Sequence, residues 1–278
     1  LAVPSPMASL PVGTGFGTLV HAVLEAADPT VPALRAELAA RAEAALATRP
    51  AAGVEASALA EALVPVVETP LGPEDGAWRL RDVAVADRLT ELDFELPLAG
   101  GDAPVATPVD LAVVDRLLRR HLPSDDPLRA YPDALAALGG SPLRGYLTGS
   151  IDAVLRDAEG RHVVVDYKTN WLGPIGPNGP EPLTAAHYRP AALREAMIAA
   201  HYPLQALLYG VALHRFLRWR LRGYDPERHL GGPLYLFLRG MCGPATPVVD
   251  GGRCGVFAWR PPGALVVELS AALDGSRA

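Results

Sequence analysis

The chain has 278 residues, half of them apolar, which supports a packed core and excludes a disordered tail. Its formal net charge of −6 argues against a free-standing, tight nucleic-acid binder, which usually displays a basic surface. No apolar run is long enough to cross a bilayer, and two cysteines, Cys242 and Cys254, are too few for a disulfide framework or a four-ligand zinc site. They read as small buried hydrophobes in a reducing cytoplasm.

The opening stretch Leu1-Ala2-Val3-Pro4-Ser5-Pro6 has no initiator Met and no basic-then-apolar signal pattern, so residues 1–15 read as a linker in a longer polypeptide. Gly13-x-Gly15-x-Gly17 follows no strand; it fits a flexible feed into a helix better than a phosphate loop. Helical spacing of Phe16, Leu19, Val20, Val23 and Leu24 predicts a helix from Phe16 to Ala27. Ala-rich helices are predicted near 31–48 and 55–68, with Pro70 ending the second. A strand is expected over Thr90–Leu98, a helix over Val109–His121 and a shorter one near Leu128–Leu138. Two strands follow, Leu143–Arg156 and His162–Lys168, joined by the turn Asp157-Ala158-Glu159-Gly160. Residues 172–183 are a Gly/Pro-dense loop. Helices near 184–198 and 200–222, strands at Gly232–Arg239 and Val256–Trp259, and a helix near 261–274 complete the chain. The fold class is α/β: a mixed central sheet flanked by helices, with a mostly helical part over 16–140 and a catalytic core over 141–278 of one domain.

The chemistry concentrates on the hairpin. Residues i and i+2 of a strand share a face, so Asp166 and Lys168 project together, and the turn sets Asp152 roughly opposite Asp166. Three charges in a strand pair otherwise built of Ile151, Val154, Leu155, Val163, Val164 and Val165 need partners, because unpaired burial is costly. Two carboxylates sharing a magnesium ion beside an ammonium satisfy all three, and so does a strand-end salt bridge with Asp152 capping a turn. Lys168 is the only lysine among 25 basic residues, which suggests a site where arginine does not serve. Arg215, Arg218 and Arg222 share one helical face, open either to phosphates or to solvent and a neighbouring subunit. No G-x-x-x-x-G-K-[ST] motif occurs, so this chain carries no P-loop motor.

The string Gly149-Ser150-Ile151-Asp152, followed fourteen residues after Asp152 by Asp166-Tyr167-Lys168-Thr169-Asn170-Trp171-Leu172-Gly173, resembles the nuclease domain of the RecB family of helicase–nucleases. That family lies within the PD-(D/E)xK superfamily. The likeness extends through Phe16-Gly17-Thr18-Leu19-Val20-His21, through His201-Tyr202-Pro203-Leu204-Gln205 with Tyr209, and through Gly231-Gly232-Pro233-Leu234-Tyr235-Leu236-Phe237-Leu238-Arg239-Gly240-Met241. It implies a restriction-endonuclease-like core that hydrolyses DNA phosphodiester bonds with one or two Mg2+ ions. His21, Asp152, Asp166 and the main-chain carbonyl of Tyr167 would be the metal ligands, and Lys168 the catalytic lysine. Gln205 and Tyr209, four apart on one helical face, would support the site or contact DNA; by spacing alone a polar stripe beside the core serves equally. Glu91 resembles an acidic position lining the same site, with Asp93 and Glu95 competing for it. The implied partners are single-stranded DNA, RecC- and RecD-like subunits and an upstream helicase domain of the same polypeptide, in a bacterial cytoplasm. The alternative is a nuclease-fold module that has lost catalysis and only guides DNA; intact Asp152, Asp166 and Lys168 speak against it.

Overall fold

A computed structural model describes residues 1–74, 77–99, 109–139, 142–143, 145–177 and 179–275. In chain order the elements are α1 (Thr14–Ala26), α2 (Leu34–Thr48), α3 (Ala56–Glu68), β1 (Arg88–Pro97), β2 (Val109–Asp110), α4 (Leu111–His121), α5 (Tyr131–Ala136), β3 (Pro142–Leu143), β4 (Tyr146–Arg156) and β5 (His162–Lys168). They continue as β6 (Ile175–Gly176), β7 (Gly179–Pro180), α6 (Pro190–Ala199), α7 (Tyr202–Arg220), α8 (Pro226–His229), β8 (Leu230–Phe237), β9 (Val248–Val249), β10 (Gly252–Arg253), β11 (Val256–Ala258) and α9 (Gly263–Leu273). The architecture is α/β, as expected, with a mixed five-stranded sheet in the order β1-β4-β5-β8-β11. Strands β8 and β11 run antiparallel, Leu236 opposite Val256 and Tyr235 opposite Phe257. Among the described residues no single helix is long and apolar enough to cross a membrane.

The chain divides into two compact units. The first comprises Leu1–Thr90, Val165–Leu193 and Leu234–Ala258. Here α1 and α3 pack on α2, burying Leu19, Val20, Leu38, Leu59, Leu63 and Val66. Helix α3 stops at Glu68, where the Thr69 hydroxyl donates to the Pro65 carbonyl at 2.7 Å and accepts from the Gly243 amide at 2.9 Å. Within the stretch read as a linker, Ser5, Met7 and Leu10 are buried in this unit. Pro4 bridges Thr184, the Ser5 amide donates to the Leu183 carbonyl at 2.9 Å, and Met7 is fully buried.

The second unit comprises Glu91–Val164, Arg194–Pro233 and Trp259–Ala278. Helices α4 and α7 pack on α9, with α5 against α4. Arg215 is turned into this packing: its guanidinium donates to the Ser270 hydroxyl at 3.0 Å and carbonyl at 2.9 Å and pairs with Asp274 at 2.7 Å. Of the arginine stripe, only Arg218 and Arg222 remain exposed. Arg215 therefore serves α9 rather than a phosphate.

Four of the boundaries that differ from expectation have a clear local reason. Val109 and Asp110 form β2 and not the first turn of a helix, because the Asp110 carboxylate caps α4 by accepting from the Val113 amide at 3.3 Å. The strand expected over Leu143–Arg156 is split by Gly145, at φ 83°, into β3 and β4; Arg144 lies outside the described residues. The helix expected near 184–198 breaks at Arg189, held extended at ψ 156° by the following Pro190. The loop over 172–183 contains the two-residue ladder of β6 and β7, with Asn178 outside the described residues.

Candidate active site

Strand β5 ends on the acid–base pair. Asp166 is 2 % exposed, and its Oδ2 lies 2.6 Å from Lys168 Nζ, so the two side chains that the i, i+2 rule sets on one face form an ion pair. The ammonium also sits 5.3 Å from the centroid of the Tyr235 ring, a face that attracts a cation. Asp166 and Lys168 thus compensate each other in a strand of buried valines.

Helix α1 brings the histidine. Its buried stripe of Phe16, Leu19, Val20, Val23 and Leu24 leaves the neighbouring His21 at the margin of the packed face. There His21 Nε2 donates to the main-chain carbonyl oxygen of Tyr167 at 2.8 Å, and its ring meets the Tyr167 ring edge-on, 6.0 Å between centroids. Close approach is secured by Gly17, where a β-carbon would lie 3.2 Å from Thr169 Oγ1. In this unit the structure therefore brings together His21, Asp166, the Tyr167 carbonyl and Lys168, although His21 lies 146 residues from Tyr167 in the chain.

These groups suit a hard divalent cation. Two ligand atoms 2.8 Å apart have about the spacing of adjacent ligands around a small octahedral ion, ~3 Å for bond lengths near 2.1 Å. The His21 imidazole and the Tyr167 carbonyl would be the groups to hold it. Among the described residues no three His, Cys, Asp or Glu side chains form a group placed to hold a metal ion.

The second unit carries the remaining predicted residues. Asp152 stands half-buried on β4 between fully buried Ile151 and Ala153. On α7, Gln205 Nε2 donates to the Tyr209 hydroxyl at 2.8 Å, so this i, i+4 pair is joined as the spacing implied. The Tyr209 ring meets Phe94 of β1 edge-on at 6.0 Å. Phe94 in turn covers Gly149, where a β-carbon would lie 2.7 Å from the ring. The glycine that opens the Gly149-Ser150-Ile151-Asp152 string is thus a seat for an aromatic ring. Glu91 is exposed, with a left-handed φ of 51°, and Asp93 and Glu95 are exposed with it on β1.

The roles of two residues near the site escaped sequence reasoning. Arg239, fully buried, donates from Nε to the Thr169 carbonyl at 2.9 Å, and the Tyr188 hydroxyl donates to the Asn170 carbonyl at 2.8 Å. Burial pushes the Tyr188 phenol above its ordinary range, so it stays a donor. The only available signal was a charged residue closing the apolar run Leu234–Leu238.

The family profile of the PD-(D/E)XK nuclease superfamily matches residues 6–243. The chain is 57% identical over 274 residues to the RecBCD enzyme subunit RecB of Mycolicibacterium smegmatis, covering 98% of this chain and 25% of that protein. It is 58% identical over 279 residues to the subunit of that name from Mycobacterium tuberculosis, again 98% of this chain and 25% of the relative. The Escherichia coli RecB subunit is 32% identical over 268 residues, 95% of this chain and 19% of that protein. The chain spans about a quarter of the length of the first two relatives. With a family profile covering most of its length and an acid–lysine pair at the end of a central strand, the chain belongs to the PD-(D/E)XK nuclease superfamily.

Proposed function

We propose that this chain is the magnesium-dependent nuclease domain of a RecB-type helicase–nuclease, hydrolysing DNA phosphodiester bonds during double-strand-break repair. The observation that carries the reading is the buried Asp166–Lys168 pair beside the His21–Tyr167 carbonyl contact. In this reading His21, Asp152, Asp166 and the Tyr167 carbonyl hold one or two Mg2+ ions. When bound, such an ion neutralises phosphate charge and makes a water more acidic. Asp166 holds the ion with its carboxylate, and His21 does so through a deprotonated Nε2. Lys168 has to leave its bond to Asp166 in part, orienting the attacking water or balancing charge that grows on the phosphate. The Gln205–Tyr209 pair supports the site or steadies the DNA strand, with Glu91 as a further acidic position at its margin.

Residues 16–278 act in this proposal as a single nuclease domain, with residues 1–15 leading from an upstream helicase region. RecC- and RecD-like subunits and the motor deliver a single strand in the bacterial cytoplasm. External delivery reconciles a charge of −6 with a DNA substrate.

The test compares the wild-type protein with Asp166→Ala on linear single-stranded DNA, with magnesium and with EDTA. Cutting by the wild type in magnesium alone, and none by the variant, is expected. Equal cutting by both proteins in magnesium would overturn the site.

A further inference from the structure

The loop that follows Lys168 is held by side chains that take no part in the proposed chemistry. Arg239 is fully buried, and its guanidinium donates to four main-chain carbonyls: Thr169 through Nε at 2.9 Å, Met7 at 2.6 Å and Leu10 at 3.3 Å through Nη1, and Pro11 through Nη2. The same group lies between two rings, 5.1 Å from the centroid of Phe16 and 5.5 Å from that of Trp171. Burying a cation among neutral carbonyls is expensive, and desolvation holds this guanidinium below its ordinary pKa range. A methionine would fill the space without that cost. What a methionine cannot do is gather four carbonyls from two separate segments in one plane.

Tyr188, also fully buried, acts on the next residues. Its hydroxyl donates to the Asn170 carbonyl at 2.8 Å and accepts from the Leu172 amide at 3.3 Å. The residue after Arg239, Gly240, runs so close to Tyr188 that any β-carbon there would collide with it. Between them, Arg239 and Tyr188 fix the polar main chain at positions 169, 170 and 172. Phe16, stacked on Arg239, belongs to α1, the same helix that carries His21.

We propose that Arg239 and Tyr188 are positioning residues that clamp the backbone of residues 169–172 and segment 7–11, and so set the Tyr167 carbonyl and the Lys168 ammonium. The proposal rests on the nuclease reading for its catalytic consequence, but the clamp itself has a readout without turnover. Loss of a group that orients a ligand typically weakens metal binding or activity by ~10–100-fold, and a ligand misplaced by about 1 Å has a similar effect.

The experiment uses Tyr188→Phe, which removes one hydroxyl, and Arg239→Lys, which keeps charge but loses the planar fork. The control is Thr246→Val, a buried polar residue of the same unit bonded to Cys242 and Gly243. Thermal midpoint, magnesium affinity by calorimetry, hydrogen exchange in metal-free protein, and kcat and KM on single-stranded DNA are measured for each. Tyr188→Phe is expected to quicken exchange across residues 168–172, weaken magnesium binding about tenfold and lower kcat about tenfold, with KM within about twofold. Thr246→Val, at a comparable fall in midpoint, is expected to keep wild-type magnesium affinity and kcat.

Variants that match Thr246→Val in magnesium affinity and exchange would overturn the clamp, leaving both residues as packing only. If Arg239→Lys does not fold, Tyr188→Phe decides alone. A wild-type protein that cuts nothing in magnesium would defeat the nuclease reading, while affinity and exchange would still decide the clamp.

Discussion

Replacing Lys168 by Met should destabilise the protein, and magnesium should restore most of the loss. The ion pair measures 2.6 Å, with the Asp166 side chain 3% and that of Lys168 13% exposed. At an effective dielectric constant of about 20, Coulomb attraction at that distance is about 6 kcal/mol before the cost of desolvating both ions. Breaking a buried pair by removing one partner costs roughly 3–5 kcal/mol, and the partial exposure of the ammonium argues for about 3 kcal/mol here. A cation held by Asp166 takes over the role of the missing ammonium. At a hundredfold excess over its dissociation constant it adds about 2.7 kcal/mol to the folded state. Asp166→Asn removes the ligand instead, so its gain from magnesium should stay below about 1 kcal/mol. Urea unfolding followed by circular dichroism, with and without magnesium, measures all three proteins. Equal stabilisation of both variants by magnesium, or of neither, would refute the assignment of Asp166 as a ligand next to Lys168.

Three further outcomes follow from other parts of the structure. Lys168→Arg should keep the fold and cripple turnover, since a planar fork cannot replace a compact ammonium 2.6 Å from a carboxylate; wild-type rates on single-stranded DNA would contradict this. Gly149→Ala should cost roughly 1–3 kcal/mol, because its β-carbon would lie 2.7 Å from the Phe94 ring; an unchanged thermal midpoint would show that the ring yields freely. His214, 4% exposed and bonded to the Tyr224 hydroxyl at 2.9 Å, is pushed down to about 4 by burial and then by Arg218 and Arg215. Above its unfolded value near 6.5 it is neutral in both states, and its contribution is complete. As pH falls from about 6.5 to about 4 the unfolded chain takes up the proton first, so stability drops by on the order of 3 kcal/mol. His214→Gln should flatten unfolding free energy over that window, and an unchanged slope would point to other groups.

The strands and helices near the site were legible where one local rule governed them. His162–Lys168 is a strand with the bounds that its run of valines suggested. The turn before it closes as its residues imply, the Gly160 amide bonding to the Asp157 carbonyl at 3.0 Å with Gly160 at φ 80°. The i, i+2 rule paired Asp166 with Lys168, and the i, i+4 rule joined Gln205 to Tyr209. What no local pattern reached was carried by main-chain atoms. His21 meets a carbonyl 146 residues away, and Arg239 meets carbonyls 70 to 232 residues away. A carbonyl has no residue type, so such partners leave no trace in composition or period; family resemblance supplied His21, and only coordinates showed what Arg239 and Tyr188 bind.

The scarcity of lysine gives this chain a built-in reporter. Lys168 carries the chain's one side-chain amine, and that amine is largely shielded by Asp166 and the Tyr235 ring. An acylating reagent directed at ε-amines has a single target, and its rate would report how often the ammonium leaves its carboxylate. A lysine-specific protease likewise has one bond to cut, after Lys168 at the end of a central strand. Its cleavage would time the opening of that strand rather than fraying at the surface.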